Sequence, residues 1–308
     1  MDGNSLIEFI SNNVDPFVTA VGSVTGAIFT AIFLRNKTAT TEFEKIKAGK
    51  FDEVTEDLLK NGKMTYTEFY KAKNFLKIAK KADAEYAQKS HGERTSPYDF
   101  DWFIRFYEAV GNISNEEMQN IWARILAGEI NKPHTYSLRT IETLKNLSQE
   151  EAELFQEICS HCISHGQALF IPHYDKYLEK CGIPFSAILY LSELGLISSD
   201  SMLVLKLPID STPKIAFINN DLLITLSSPG KSTPLNDIRQ FPLSAVGHEL
   251  ATLVDGNTSD EEFITFAKEI RRNTSLDVGV HKIVSIDGDD IQYHSDNILE
   301  QDEPSSNP

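Results

Sequence analysis

Six side chains of the types that bind zinc lie between residues 159 and 181. They are Cys159, His161, Cys162, His165, His173 and Cys181. At helical spacing Cys159 and Cys162 fall on one apolar stripe, while His161 and His165 project to other sides of the helix. Structural zinc pairs usually stand on turns, with a second pair far along the chain. The pattern therefore predicts buried free cysteines, and we predict no metal ion and no cofactor.

Two further motifs have the composition of ligand-binding loops but lack the required spacing. The stretch SSPGKST, which ends at Thr233, is similar to a phosphate-binding loop, yet Thr225 occupies the position of its first glycine. Pro234 follows where the motif requires a helix. The stretch DGDD, which begins at Asp287, lacks the ligand spacing of an EF-hand. We predict a surface loop for the first motif and a solvated acidic tail for the second.

Charged residues on two predicted helices could surround Trp102 and Trp122 as a polar site. They are Arg105, Glu108, Glu116, Glu117, Arg124 and Glu129. On amphipathic helices such side chains usually form solvated faces or ion pairs. The sequence contains no evident set of a nucleophile, a base and an orienting group. We therefore predict no catalytic residues, and we favour a protein that is not an enzyme.

Four capping boxes predict where helices begin. Each pairs a Ser or Thr with a Glu three residues later: Thr65 with Glu68, Ser114 with Glu117, Ser148 with Glu151, and Ser259 with Glu262. Apolar residues recur at helical spacing after each box. Between residues 168 and 286, short runs of β-branched and aromatic residues predict strands.

The predicted fold class is mainly α with a smaller α+β part. The expected segments are an N-terminal apolar helix at 1–36, a helical hairpin at 37–95, a compact helical domain at 96–167, a winged-helix-like α+β domain at 168–286 and an acidic disordered tail at 287–308. The tail contains too few apolar residues to fold.

The longest uncharged run covers residues 17–34. This length lies at the lower limit for a bilayer-spanning helix, about 17 to 25 residues. Basic residues follow the run, beginning at Arg35, and none precedes it, which predicts an inner-membrane span with the N-terminus outside and a cytoplasmic body. Gly22, Gly26 and Thr30 share one face, as in helices that associate within lipid. The alternative is a buried or interfacial helix of a cytoplasmic protein.

Charge and cysteine content narrow the classes of partner and compartment. The net charge of −16 argues against strong non-specific binding to nucleic acid, which depends on neutralising phosphates. An odd number of cysteines, three, argues against a disulfide framework and fits a reducing compartment.

Two sequence blocks carry a resemblance to a known family. The blocks EEMQNIWARILAGE, at 116–129, and SLRTIETLKNLS, at 137–148, resemble a bacterial family known as domain of unknown function twenty-eight-oh-six. The likeness extends more weakly from about Tyr66 to Ile283. The resemblance implies no established activity and transfers no catalytic residues.

The stretch ILYLSELGLIS, at 188–198, followed by strands and PLSAVGHELATLV, at 242–254, is similar to winged-helix modules. The helix that would read DNA, from Phe185 to Leu194, contains no Lys or Arg. Because basic side chains fix such helices on phosphates and bases, we predict contacts with protein rather than with nucleic acid.

These observations predict a non-enzymatic, membrane-tethered bacterial sensor or scaffold that acts through protein–protein contacts. Its partner is an unknown protein or a second copy of the chain, joined through the face of Gly22 and Gly26. Two alternatives stay open. One is a membrane-perturbing effector of antiviral defence by abortive infection, and the other is a soluble winged-helix regulator that binds nucleic acid.

Overall fold

The computed structural model describes residues 56, 59–62, 65–87, 99–198, 203–229, 237–254, 256–288 and 290–301. The chain divides into two compact units, Met1–Asn146 and Leu147–Pro308. The predicted helix-association residues Gly22, Gly26 and Thr30 lie outside the described residues.

The first unit is helical throughout its long described stretches. Its helices are α1 (Tyr66–Ala87), α2 (Phe100–Val110), α3 (Glu116–Asn131) and α4 (Leu138–Asn146). The Asp99 side chain begins α2 by accepting hydrogen bonds from the backbone N–H groups of Asp101 and Trp102. Asn115 caps α3 in the same way. Helix α1 packs against α2 and α3.

Aromatic rings fill the core of this unit. Phe106 stacks on Trp102 with ring centroids 5.1 Å apart and meets Trp122 edge to face at 5.6 Å. Phe75 of α1 meets Phe103 of α2 edge to face at 5.8 Å. These rings bury more apolar area per residue than aliphatic side chains do, so their packing contributes strongly to the stability of this unit.

The second unit combines helices with strands. Its first elements are α5 (Gln149–Cys159), β1 (Ile163–His165), β2 (Ala168–Pro172), α6 (Asp175–Cys181), α7 (Phe185–Glu193) and β3 (Val204–Lys206). Its later elements are β4 (Lys214–Asn219), β5 (Leu222–Ser227), β6 (Asp237–Pro242), α8 (Ala245–Ala251), α9 (Asp260–Asn273), β7 (Asp277–Asp287), β8 (Asp290–Tyr293) and α10 (Ile298–Gln301). The predicted capping boxes at Ser148 and Ser259 begin α5 and α9.

The strands of the second unit form two antiparallel four-stranded sheets, with orders β1-β2-β6-β3 and β4-β5-β7-β8. Strand β5 is buried at all six positions and pairs with β7 in a register that opposes Ile224 and Val280. Helix α9 packs against α6 and β7, and its Phe266 meets Phe217 of β4 at 5.0 Å. An ion pair between Lys180 and Glu261 also joins the end of α6 to the start of α9.

The predicted fold class is wrong. The residues that the structure describes are about 51% helix and 21% strand, so this is not a mainly α fold built on a helical hairpin. Two strands explain part of the error, because β1 lies in the segment predicted as a helical domain and β8 lies in the segment predicted as a disordered tail. Strand β7 is not part of the error, since β-branched residues predict a strand from 277 to 286 and β7 forms there.

The predicted inner-membrane localisation is also corrected. Across the described ranges, no helix combines the length and the apolar composition needed to cross a bilayer. Helix α1 has 22 residues, enough for a span, but lysines occur along its length. The run at residues 17–34, on which the prediction rested, lies outside the described residues.

The acidic segment at 287–308 contains two ordered elements where the sequence predicts a disordered tail. Strand β8 pairs with β7, with Asp287 opposite Asp290. In α10, Leu299 is 2% exposed and belongs to the core of the second unit. A few apolar side chains at the right positions are therefore enough to fold this part of an otherwise acidic sequence.

Candidate functional site

His161, Cys181 and Glu262 converge in the second unit, although they are far apart in the sequence. His161 lies in the turn after α5, Cys181 is the last residue of α6, and Glu262 is the third residue of α9. One ring nitrogen of His161, the Sγ atom of Cys181 and one carboxylate oxygen of Glu262 all lie within 4.8 Å of one another. The side chains of His161 and Glu262 are only 17% and 13% exposed. We refer to these three residues as the His–Cys–Glu cluster.

Local hydrogen bonds hold two members of the cluster in place. The backbone N–H of Ser259 donates to Glu262 Oε2 at 3.0 Å, so the capping box uses one carboxylate oxygen and leaves Oε1 for another partner. The Tyr177 hydroxyl donates to the carbonyl oxygen of His161 at 2.6 Å and anchors the turn that carries the imidazole.

The imidazole of His161 has an open hydrogen-bonding position. Its Nδ1 lies 3.1 Å from Glu262 Oε1. Nδ1 is nevertheless buried without a hydrogen-bond partner among the described residues. A separation of 3.1 Å is short enough for a hydrogen bond, so the angle at Nδ1 must be unfavourable. The carboxylate oxygen therefore lies away from the direction in which Nδ1 would donate or accept.

The environment of Cys181 does not favour nucleophilic catalysis. Burial raises the pKa of the Cys181 thiol to about 12, and the negative charge of Glu262 acts in the same direction. The thiol is therefore protonated near neutral pH, whereas a catalytic cysteine requires a lowered pKa. A single ring nitrogen of His161 is also close to both other members. A catalytic triad instead uses the two ring nitrogens on opposite sides of the imidazole.

The other two cysteines, Cys159 and Cys162, form a hydrogen bond with each other and no disulfide. A hydrogen bond with Cys159, and then burial, raises the pKa of the Cys162 thiol well above its ordinary value. The Cys162 Sγ also lies 3.6 Å from the carbonyl oxygen of Ile158. Both cysteines are free and line a cavity of about 200 Å³. Their side chains therefore take part in local packing.

The remaining two histidines are held by structural contacts. The Nδ1 atom of His165 lies 2.9 Å from the carbonyl oxygen of Ala216. The ring of His173 packs on the ring of Phe241, with centroids 4.0 Å apart. Of the six candidate zinc ligands in the sequence, His161 and Cys181 therefore belong to the cluster, and the other four lie elsewhere.

A second feature of this unit is an exposed apolar row on α7. Phe185 and Leu189, one helical turn apart, are 47% and 50% exposed. Tyr190, on the side of α7 that faces α5, donates its hydroxyl hydrogen to Glu151 Oε1 at 2.5 Å. We refer to Phe185, Leu189 and Tyr190 as the α7 face. A groove of about 230 Å³ runs beside it and is floored in part by Phe241.

The rim of the α7 face is acidic. Helix α7 contains no Lys or Arg. The hydrogen bond to Glu151 raises the pKa of Tyr190, and the charges of Glu150 and Glu193 act in the same direction. The apolar face and groove therefore lie beside three carboxylates.

The family model described as "Protein of unknown function (DUF2806)" matches residues 62–267, which is more than half of the 308 residues. The chain belongs to the DUF2806 family. This match confirms the resemblance in the blocks at 116–129 and 137–148. No curated protein and no solved structure matches the chain. Both the His–Cys–Glu cluster and the α7 face lie inside the segment that matches the DUF2806 model.

The loop-like motifs of this DUF2806 protein do not form a described ligand site. In the SSPGKST stretch, residues 230–233 lie outside the described residues. Thr225 is buried in β5, where its hydroxyl lies 3.1 Å from Nε2 of His281. In the DGDD stretch, Asp287 and Asp290 face each other across the turn between β7 and β8.

The charged residues near Trp102 and Trp122 do not meet at one site. Arg105 forms an ion pair with Glu142 at 3.8 Å, and Glu116 forms one with Lys81 at 3.5 Å. Glu129 is 2% exposed, and its carboxylate accepts backbone hydrogen bonds from residues 134–136. The first two contacts are exposed, and the third shapes a loop of the DUF2806 chain.

Glu262 is the functional candidate that sequence reasoning missed. Its position in a capping box was evident, because Ser259 precedes it by three residues. The box predicts where the carboxylate lies along α9, but it says nothing about which distant residues that carboxylate meets.

Proposed function

We propose that this DUF2806 protein is a non-enzymatic interaction module whose α7 face binds a segment of a partner protein. The observation that carries the proposal is the exposed α7 face beside a groove of about 230 Å³. The partner segment would place apolar side chains in the groove and Lys or Arg side chains on the acidic rim.

The energetics of burial support this use of the α7 face. Covering a Leu or Phe side chain that is otherwise exposed contributes up to about 1.5–3 kcal/mol. Tyr is also enriched among the residues that dominate binding energy at protein interfaces. We therefore expect replacement of Phe185, Leu189 or Tyr190 to weaken the affinity for the partner.

The charge of the rim supports a basic partner. Glu150, Glu151 and Glu193 would attract Lys and Arg side chains and would steer their approach. The same carboxylates would repel the phosphates of nucleic acid. A second copy of the chain would bring two acidic rims together, which is also unfavourable.

Replacement of one exposed residue tests the proposal. Full-length wild type and Leu189→Asp would be used to capture proteins from a lysate of the source organism, and each captured protein would then be purified. We expect a protein that binds wild type with an affinity that falls as salt rises, because its basic groups meet the rim. Leu189→Asp should weaken that binding at least about tenfold, the equivalent of 1.4 kcal/mol.

A matched control is Val284→Asp, since Val284 is 57% exposed on β7. It should bind the purified partner as wild type does. The proposal fails if no captured protein depends on Leu189, if affinity does not change with salt, or if Val284→Asp has the same effect. It also fails if wild type is a dimer in sedimentation and Leu189→Asp is a monomer, because the occupant is then a second copy.

A further inference from the structure

We propose that His161, Cys181 and Glu262 bind one Zn²⁺ ion, with a water molecule at the fourth position. The proposal rests on three side chains whose donor atoms lie close together, one of them without a hydrogen-bond partner among the described residues. It does not rest on the exposed apolar surface of the α7 face. It is independent of the proposed partner.

The donor set matches zinc. The cluster offers one imidazole nitrogen, one sulfur and one carboxylate oxygen. Zinc accepts all three donor types and commonly has four ligands. Mg²⁺ and Ca²⁺ prefer oxygen ligands alone, so the sulfur and nitrogen argue against them. Sites with three protein ligands commonly keep the fourth position for water.

The separation of His161 Nδ1 and Glu262 Oε1 is close to that of two ligand atoms bound to the same zinc ion. Their facing atoms, Nδ1 and Oε1, are 3.1 Å apart, and Nδ1 has no hydrogen-bond partner among the described residues. Two ligand atoms about 2.0–2.1 Å from a tetrahedral zinc ion lie about 3.3 Å apart. Each then points at the ion and not at the other, which explains how two atoms can be this close without an aligned hydrogen bond.

Only a small movement of Cys181 completes the site. Its Sγ lies within 4.8 Å of a ring nitrogen of His161 and of a carboxylate oxygen of Glu262. In a tetrahedral zinc site the separation between sulfur and nitrogen is about 3.6 Å. Cys181 is the last residue of α6, and Gly182 follows with a φ of 68°. The side chain at this helix end can therefore approach the ion without disturbing a continuing helix.

Contacts around the cluster already orient the ligands. The Ser259 N–H holds the second oxygen of Glu262, and Tyr177 holds the carbonyl oxygen of His161. A hydrogen bond to a ligating carboxylate, such as the one from Ser259 to Glu262, commonly raises metal affinity by about 10–100-fold. Next to the cluster, Lys180 forms an ion pair with Glu261 at 2.5 Å.

A bound ion would join three elements that the chain connects only through long segments. His161 belongs to the turn after α5, Cys181 to α6 and Glu262 to α9. Because the unfolded chain does not hold these residues together, zinc would bind the folded second unit preferentially and stabilise it.

Equilibrium dialysis of the full-length, tag-free protein against Zn²⁺ tests the proposal. We expect about one zinc ion per chain in wild type. His161→Gln, Cys181→Ser and Glu262→Gln should each weaken binding at least about 100-fold, more than the loss of a surrounding hydrogen bond would. Substitution with Co²⁺ gives a second readout, because a cobalt–thiolate bond adds an absorption band that Cys181→Ser should abolish.

Two neighbouring residues provide matched controls. Cys159→Ser changes another cysteine of the same unit, and Glu261→Gln changes the carboxylate next to Glu262; both should bind zinc as wild type does. Glu262→Gln keeps an acceptor for Ser259, and circular dichroism would establish that each variant is folded. The proposal is overturned if wild type binds no zinc, if the three ligand variants bind as wild type does, or if Cys159→Ser causes the same loss as Cys181→Ser.

Discussion

Glu129 is a buried carboxylate and Glu262 is a partly buried one, each near one end of a helix, but their surroundings differ. Glu129 Oε1 accepts from the N–H of His134 at 2.7 Å, and Oε2 accepts from Thr135 and Tyr136 at 3.0 and 3.2 Å. Glu262 accepts one backbone N–H through Oε2, while its Oε1 faces an imidazole nitrogen without an aligned hydrogen bond. The first carboxylate is satisfied by its own loop, whereas the second meets the Cys181 thiol and an imidazole nitrogen that has no hydrogen-bond partner among the described residues.

This difference separates a structural residue from a binding residue. Burial is expensive for any carboxylate, so burial alone does not indicate function. Glu129 fixes a loop that includes His134 at a φ of 66° and that presents the Tyr136 carbonyl oxygen to Trp102 Nε1 at 2.8 Å. The His–Cys–Glu cluster has no such internal use for its imidazole nitrogen. The open position, more than the burial, is what suggests a ligand.

The largest expected effect comes from removing the satisfied carboxylate. Glu129→Ala leaves three backbone N–H groups without their acceptor, and one buried unsatisfied group costs about 1–3 kcal/mol. We therefore expect the free energy of unfolding of the first unit to fall by about 3 kcal/mol or more. Both tryptophans, Trp102 and Trp122, lie in that unit, so urea unfolding followed by tryptophan fluorescence measures it directly.

The exposed Glu108 on α2 gives the control for this variant. Glu108→Ala should change the free energy of unfolding by less than about 0.5 kcal/mol. Equal effects of the two substitutions would show that Glu129 is not the residue that holds the loop.

An intermediate effect is expected from zinc binding at the His–Cys–Glu cluster. Zinc at 100 times its dissociation constant should stabilise the second unit by about 2.7 kcal/mol. Hydrogen exchange should report this as slower exchange of the amides in α6 and α9, whose residues supply Cys181 and Glu262. The same slowing in Cys181→Ser would contradict the assignment, since that variant lacks the sulfur ligand.

The smallest expected effect is a pH dependence that belongs to Glu129. Burial raises the pKa of Glu129 above its ordinary value of 4.5, against the opposing effect of its backbone hydrogen bonds. Between the ordinary and the raised pKa, the folded state binds more protons than the unfolded state. Stability from this group therefore falls as the pH rises through that window.

Glu129→Gln cannot titrate, so it isolates this effect. The stability advantage of wild type over Glu129→Gln should shrink as the pH rises above about 4.5, the ordinary value. The measurement is urea unfolding of both proteins by tryptophan fluorescence across the acidic range. An advantage that grows with pH would show that the hydrogen bonds, and not burial, dominate the pKa of Glu129.

The sequence predicts local features of this fold better than distant ones. The capping boxes at Ser148 and Ser259 form as predicted, because all their atoms lie within one helical turn. At α3 the N-cap is Asn115 and not the predicted Ser114, since Asn is an equally good cap one residue later. Strand β8 was missed because its pairing with β7, and not its own acidic sequence, stabilises it.

The same limit applies to the candidate site. His161 and Cys181 could be named from residue type, but Glu262 lies about a hundred residues beyond His161. Their contact depends on the packing of α9 against α6, which no local pattern encodes. For α7 the sequence predicts contacts with protein from the absence of Lys and Arg, but it does not predict that Phe185 and Leu189 are exposed.

The most direct test of the open ligand position is a crystal of the full-length protein grown with zinc and measured on both sides of the zinc absorption edge. The account predicts one strong anomalous peak about 2.0–2.3 Å from a ring nitrogen of His161, Sγ of Cys181 and a carboxylate oxygen of Glu262. A crystal that contains zinc but shows no peak among these three residues, or shows it beside Cys159 and Cys162, would contradict the account.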